Sequence, residues 1–255
     1  MKTVFESHCN DYCYEAVGAR KLKNSLKYFH PDIPLKIFGD ADIAAKRPYY
    51  PWLGWATLDP ILCSPLAEEY DLVVHLDADS IVTGTLDDIL AADFDIAGVR
   101  NNNDKGLAGA TGSTFGNHIK GIDARWQYLN AGLIASTSKA FWAEFLYNNE
   151  HYANNTSFGE QDVWNDIFWS RKYLAKLLDD KDAKVHYGIS SQCVEPGQRV
   201  EQSWADMYLK DDKLYFRDKV VKVMHNAGGF GLPKLQYQTW VKPDVKEFLD
   251  EITKD

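Results

Sequence analysis

Long apolar runs are absent: nowhere do 18 hydrophobic residues follow one another, so no segment has the length and character of a membrane-spanning helix. The opening residues, Met1 to His8, are too short and too polar for a signal peptide. No stable membrane anchor is expected. Cysteine is scarce, with four in 255 residues (Cys9, Cys13, Cys63, Cys193) and no C-x-x-C pair. That excludes a disulfide scaffold and reads as free thiols in a reducing, cytoplasmic setting. Basic side chains are the minority, 28 against 37 acidic, for a net charge of −9. Phosphate backbones and anionic lipid require a positive face, so a general nucleic-acid or membrane-surface binder is excluded. Acidity leaves another role open, because carboxylates gather metal ions.

What is present is an ordinary globular composition, 45% hydrophobic and 25% charged, which is not that of a disordered chain. Short apolar runs alternate with helical patterns. Strands are predicted at Val4–Ser7, Leu35–Phe38, Leu72–Leu76, Asp95–Val99, Leu129–Ala135, Val185–Tyr187, Leu214–Arg217 and Val220–Met224. Helices are predicted at Tyr14–Tyr28, Trp52–Ala67, Leu86–Ala91, Ser138–Asn148, Glu160–Leu178 and Val245–Ile252. This rhythm implies an α/β domain with a mostly parallel central sheet flanked by helices. Ligands in such sheets bind beyond the carboxyl ends of the strands. The glycine-rich stretch from Gly98 to Gly121 breaks the periodicity and reads as a long loop able to order over a ligand. No repeat or Pro/Ser-rich linker divides the chain, so residues 1–255 are expected to form one domain.

Asp-x-Asp occurs four times, at Asp40/Asp42, Asp77/Asp79, Asp93/Asp95 and Asp180/Asp182. Position separates them. Asp180/Asp182 follow the end of a predicted helix and read as a solvated turn. Asp93/Asp95 precede a strand, and Asp40/Asp42 read as a turn and helix cap. Asp77/Asp79 directly follow the run Leu72–Leu76, at the edge where ligands bind, and two carboxylates one residue apart suit Mn²⁺ or Mg²⁺. The plain alternative is a cap for the helix that follows. Two chemistries use a strand ending this way. A haloacid-dehalogenase-like phosphatase would use Asp77 as nucleophile, but also needs a later strand ending in an acidic pair; Asp179-Asp180 reads as a helix end and Asp211-Asp212 as a turn. The other chemistry is glycosyl transfer from a nucleotide sugar.

The segment from Asp71 to Asp88, with Asp77-Ala78-Asp79 at its centre, resembles the Asp-x-Asp region of GT-A-fold glycosyltransferases, particularly family 8, which includes glycogenins and lipopolysaccharide galactosyltransferases. Three further segments resemble that family in the same order. They are Tyr128-Leu129-Asn130-Ala131-Gly132, the helix start Glu160-Gln161-Asp162, and His225-Asn226-Ala227-Gly228. The signature departs from the family beyond Gly228: Gly231 stands where lysine is expected, Lys234 follows three residues later, and Leu235-Gln236 replaces Pro-Trp. A donor-contacting arginine found in many members falls at Pro60 here, so that contact is absent or supplied elsewhere, as by Arg47.

The resemblance implies a GT-A, Rossmann-like domain whose residues 1–100 form the nucleotide-binding half and 101–255 the sugar and acceptor half. It implies Asp77, Asp79 and His225 as ligands of Mn²⁺ or Mg²⁺, with Cys9, Asn10, Asp11 and Tyr12 at the nucleotide. Ala78, Ala131, Gly228 and Lys234 complete the donor site, Lys234 on the diphosphate. Asn130, Glu160, Gln161 and Asp162 form the catalytic group facing donor sugar and acceptor. Gln161 or Glu160 would stabilise an oxocarbenium-like centre or act as nucleophile; in an inverting enzyme, Asp162 or Glu160 would be the base. The implied reaction moves a hexose from a UDP-linked donor to a glycan or saccharide acceptor, with retention. Plainer readings accompany these roles: Asn10 or Asp11 caps the first helix, Asn130 lies in a buried strand, and Ser157 and Glu160 form a capping box. Trp126, Tyr128 and Trp204 are candidates for stacking on sugar rings, against the commoner role of core filling.

Overall fold

The computed structural model describes residues 1–10, 14, 19–50, 58–101, 127–152, 159–179, 183–188, 192–193, 201–202, 204–225 and 241–255. Most of the glycine-rich stretch, residues 102–121, lies outside them, as does Trp126. Six strands make the central sheet: β1 (Thr3–His8), β2 (Leu35–Phe38), β3 (Leu72–Leu76), β5 (Ile96–Arg100), β6 (Leu129–Ser136) and β7 (Ala175–Leu177). Their order is β2-β1-β3-β6-β5-β7, and all run parallel except β6, which is antiparallel to both neighbours. The expected mostly parallel sheet is present.

Two apolar layers cover the sheet, and strand alternation assigns the residues to each. Phe5, Leu72, Val74 and Leu76 pack with Leu22 and Leu26 of α1 (Ala19–Phe29). The intervening Val4 and Val73 pack on the other face with Cys63 and Leu66 of α3 (Leu58–Ala67) and with α5 (Lys139–Tyr152) and α6 (Glu160–Trp169). The period of two along β1 and β3 thus decides which helix each residue meets. Helix α5 supplies Phe141, Trp142 and Phe145, and α6 supplies Trp164 and Phe168. Phe141 meets Trp164 edge-on at 5.4 Å and Trp164 meets Phe168 at 5.2 Å, the tilted geometry that aromatic quadrupoles favour. This layer fixes the first turn of α6 against the sheet edge.

Short helices α2 (Asp40–Lys46) and α4 (Asp87–Leu90) follow β2 and the Asp-x-Asp segment, and α7 (Pro243–Ile252) packs near the chain's end. As expected, Asp42 is a local cap: its Oδ2 accepts from Gly39 N–H at 2.9 Å. The carboxyl-terminal region adds β8 (Val185–His186), β9 (Gln192–Cys193), β10 (Glu201–Gln202), β11 (Tyr208–Lys210), β12 (Lys213–Phe216) and β13 (Lys219–Val221). Among the described residues no helix is long and apolar enough to cross a membrane.

The structure corrects three sequence expectations. The helix predicted to run to Leu178 stops at Trp169, where the Ser170 hydroxyl donates to Ile167 O and Arg171 takes φ 62°. Residues Ala175–Leu177 then pair with β5 as an edge strand, so sheet pairing overrides the apolar spacing of Tyr173, Leu174 and Leu177. Asp179 therefore follows a strand rather than a helix. It is fully buried and accepts from Arg100 N–H at 2.7 Å, three strands away from β3. The strand predicted across Val220–Met224 is two: β13 joins β12 and β8, while β14 (Val223–His225) pairs with β4 (Ser80–Val82). Finally, Tyr128 and Trp204 are 1% and 0% exposed, so both fill the core and neither offers a ring face to a sugar.

Gly98 tests the aromatic layer. A Cβ there would lie 2.6 Å from Trp164 Cζ2, inside a packed core, whereas at Gly84 it would meet the flexible Lys222 side chain at 3.2 Å. Urea unfolding should show Gly98→Ala destabilised by about 1–3 kcal/mol and Gly84→Ala by clearly less. Equal shifts would contradict this packing.

Candidate metal centre and donor site

Strand β3 ends at Leu76, and the chain turns at once: Ser80 N–H donates to Asp77 O at 3.0 Å, placing Asp77 and Asp79 on either side of a tight reversal. Strand β4 leaves that turn antiparallel to β14, with Val82 opposite Val223 and Ser80 opposite His225. This register delivers His225 beside both carboxylates. His225 Nε2 lies 3.0 Å from Asp77 Oδ2 and 3.1 Å from Asp79 Oδ1. The imidazole is buried, while the Asp77 side chain is 40% exposed, so the group opens on one side.

Backbone geometry makes room for this contact. Between Gly98 and Val99 the β5–β6 register jumps from Ile134 to Asn130, a bulge that pushes residues 131–133 out of the ladder. Gly132 on the bulge accepts from Asp77 N–H at 3.0 Å. A Cβ on Gly132 would lie 2.3 Å from His225 Cε1 and 2.6 Å from Asp77 Oδ2. Only glycine allows the strand to pass this close to the three side chains.

The donor set fits a hard divalent cation. Metal–ligand bonds of about 2.1 Å in an octahedral shell place neighbouring ligands about 3.0 Å apart, compatible with the 3.0–3.1 Å at which His225 hydrogen-bonds the two carboxylates in the metal-free site. The same demand appears in the ionisation of the group. Burial opposes charge on His225, yet Asp79 and Asp77 hold its pKa at about 10. Asp77 is pushed up by burial but drawn well below the usual carboxylate range by His225 and His75. Two carboxylates here require a positive charge between them.

The first turn of α6 is wired to the bulge. Gln161 Oε1 accepts from Ala131 N–H at 3.0 Å and from the Asn130 amide at 3.3 Å, and its Nε2 donates to the Tyr128 hydroxyl. Asn130 Oδ1 accepts from Gly132 N–H at 2.7 Å. Asp162 is fully buried and accepts from Tyr128 Oη at 2.6 Å. Asn165 donates to Leu129 O and accepts from Leu129 N–H, closing the helix onto β6. Glu160 is the first residue of α6, behind Gly159, and its Oε2 accepts from Asp59 N–H at 3.2 Å. That bond reaches across the chain, so Glu160 is not the third-position partner of a capping box. Burial raises its carboxyl to about 8, with the charge of Asp77 contributing.

Comparison with known proteins follows from this geometry. No protein-family model matches the sequence, and no curated protein does. Solved structures do match. The galactosyltransferase LgtC, in complex with donor and acceptor sugar analogs, superposes with a TM-score of 0.53 at 15% identity, over 98% of this chain and 96% of that one. The bifunctional glycosyltransferase WbbM matches with a TM-score of 0.53 at 13% identity, over 99% of this chain and 50% of that one. The chain has the GT-A fold.

Within the GT-A frame, the structure brings together Asp77, Ala78, Asp79, Asn130, Ala131, Gln161 and His225 around the bulge and the turn. Asp162 stands behind them, holding Tyr128. Cys9 and Asn10 directly follow β1; Cys9 N–H donates to Phe38 O at 3.0 Å and its side chain is buried. Asp11, Tyr12, Gly228 and Lys234 lie outside the described residues. Arg47, the suggested substitute for a donor-contacting arginine, is exposed at the end of α2.

Four polar residues that sequence reasoning passed over lie behind the Asp-x-Asp turn: Glu6, His8, Asp59 and His75. Glu6 and His75 are parallel cross-strand partners, both fully buried, with Glu6 Oε2 2.6 Å from His75 Nδ1. Burial pushes the Glu6 carboxyl up, but His75 and His8 bring it down to about 2. The available signal was alternation: Glu6 and His8 are spaced by two in β1, as are His75 near the end of β3 and Asp77 just beyond it.

Glu160 gives a pH test in metal-free protein. Its pKa is raised from 4.5 to about 8 on folding, so its contribution to stability is full below the unfolded value and lost as pH rises through about 8. Glu160→Gln has no such proton to lose. Between pH 5 and pH 9, urea unfolding should show the native chain losing on the order of 2–4 kcal/mol relative to the variant. Parallel pH profiles would contradict the buried, neutral carboxyl.

Proposed function

We propose that the chain is a metal-dependent glycosyltransferase, moving a hexose from a UDP-linked donor to a hydroxyl of a glycan or saccharide acceptor, with retention. The observation carrying this reading is the convergence of Asp77, Asp79 and His225, at 3.0–3.1 Å, on the ligand edge of a GT-A sheet. That LgtC was captured with donor and acceptor sugar analogs supports the substrate class.

Asp77, Asp79 and His225 would hold Mn²⁺ or Mg²⁺. The cation supplies charge neutralisation for the departing diphosphate, a Lewis-acid role worth several kcal/mol. The chain's own residues do the remaining positioning. Asn130 is locked by Gly132 and Gln161, and Gln161 by Asn130, Ala131 and Tyr128. Both acceptor positions of Gln161 Oε1 are thereby engaged. This favours a preorganised polar wall for an oxocarbenium-like centre over attack by the amide. The neutral Glu160 adds a hydrogen-bond donor suited to sugar hydroxyls. In this reading, residues 1–100 serve the nucleotide and 101–255 the sugar and acceptor. The buried Cys63 thiol, which donates to Glu6 Oε2, fits a reducing cytoplasmic setting.

A donor screen tests the reading: nucleoside diphosphate release from UDP-, GDP- and dTDP-sugars, with Mn²⁺ or with chelator. UDP release is expected with Mn²⁺ alone, and Asp79→Asn should lower kcat/KM by on the order of 10²–10³, about 3–4 kcal/mol. Release that ignores chelator and survives Asp79→Asn would overturn it, and Mg²⁺-dependent cleavage of an aryl phosphate would point to the phosphatase reading.

A further inference from the structure

Behind the Asp-x-Asp turn, β1, β3 and the first turn of α3 enclose a second concentration of ligand-type atoms. Glu6 and His8 project from one face of β1, His75 from the adjoining position of β3, and Asp59 from α3. Glu6, His75 and Asp59 are 0–2% exposed and the His8 side chain 10%. Glu6 Oε2 takes hydrogen bonds from His75 Nδ1 and from the Cys63 thiol, at 2.6 and 3.3 Å. The bond to Nδ1 turns the other ring nitrogen, Nε2, toward Asp59. A carboxylate on the far nitrogen is the arrangement that orients metal-binding histidines.

Two carboxylate oxygens, Glu6 Oε1 and Asp59 Oδ1, are buried without a hydrogen-bond partner. Each lies 3.7 Å from His8 Nδ1, and Asp59 Oδ2 lies 3.5 Å from His75 Nε2. These separations decide between three fillings. They exceed an N–H···O hydrogen bond, at about 2.9 Å. They are short of the roughly 4.6 Å that separates two groups bonded to one bridging water at tetrahedral angles. The His8 and His75 separations, made to the two different oxygens of Asp59, come close to the edge of a tetrahedral shell with bonds of about 2.1 Å, which is about 3.4 Å.

We propose that His8 Nδ1, His75 Nε2 and Asp59, whose ligand atoms lie within 4.8 Å of one another, form a second cation site behind the Asp77/Asp79/His225 centre, taking Zn²⁺. Two imidazoles with one carboxylate at this spacing suit zinc, leaving the fourth position of its tetrahedral shell outside these three. The spacing differs from that of the Asp77 centre, where 3.0–3.1 Å suits an octahedral ion. Asp77 stands between the two, with Oδ2 facing His225 and Oδ1 3.4 Å from His75 Nε2. The second ion would replace the Nε2 proton as the positive partner of Asp77 Oδ1, leaving the other oxygen of Asp77 to the first cation. This inference concerns metal content and stands whether or not the donor assignment holds.

The test is titration of metal-free protein with Zn²⁺ alone, counting bound metal by mass spectrometry after gel filtration. The native chain should retain two equivalents, and Asp79→Asn and His8→Ala one each. One equivalent in the native chain, abolished by Asp79→Asn and untouched by His8→Ala, would overturn the proposal and leave the cluster held by protons. A crystal of the native chain grown with Zn²⁺ gives an answer independent of variant folding. Anomalous density about 2.1 Å from both His8 Nδ1 and His75 Nε2 supports the site; density only among Asp77, Asp79 and His225 refutes it.

Discussion

The candidate centre depends on one short antiparallel pairing, that of β14 with β4. Three residues on each side place His225 opposite Ser80, one residue beyond the Asp-x-Asp turn. The two segments lie roughly 145 positions apart in the chain, so the imidazole reaches the carboxylates only after the surrounding sheets have formed. Closing so long a loop has an entropic cost that grows slowly with length. The burial of Ile81 and Met224 with Trp204, Leu214 and Val245 offsets it. The apolar cluster beneath β4 and β14 therefore holds His225 beside the two carboxylates.

Electrostatics impose the second constraint. Glu6, Asp59, Asp77, Asp79 and Glu160 gather near three imidazoles, most of them buried. Buried charge is tolerated only when paired, and removing one partner of such a pair costs about 3–5 kcal/mol. The molecule handles the excess by dividing roles. Asp59 is driven well above its usual range by burial and by Glu160, while Glu6 and Asp77 are kept ionised by histidines. Neutral and ionised carboxyls thus lie within a few side chains of one another.

Much of this was legible in the sequence, for physical reasons that differ by element. Leu72–Leu76 is apolar except for His75 and is followed at once by two carboxylates, the trace of a strand buried on both faces. Asn130 was reached through the family-like segment Tyr128–Gly132, whereas the bulge that segment forms exists only in the pairing of β5 with β6. The strand β4 escaped notice because three residues carry no period. Helix α6 was drawn too long because Tyr173, Leu174 and Leu177 keep apolar spacing after the backbone has turned at Arg171. The Glu6–His75 pair was invisible for a deeper reason: its partnership exists only in the register between strands 69 residues apart. Each residue alone looks like an ordinary polar interruption.

The central claim is that Asp77, Asp79 and His225 hold a divalent cation that in turn grips a nucleoside diphosphate. Electron paramagnetic resonance of free Mn²⁺ during titration, with and without UDP, reads this linkage directly. The account predicts that UDP tightens Mn²⁺ binding at least about tenfold, roughly 1.4 kcal/mol of coupling, and that Asp77→Asn removes the effect. Mn²⁺ affinity indifferent to UDP, or equally enhanced in the variant, would contradict it.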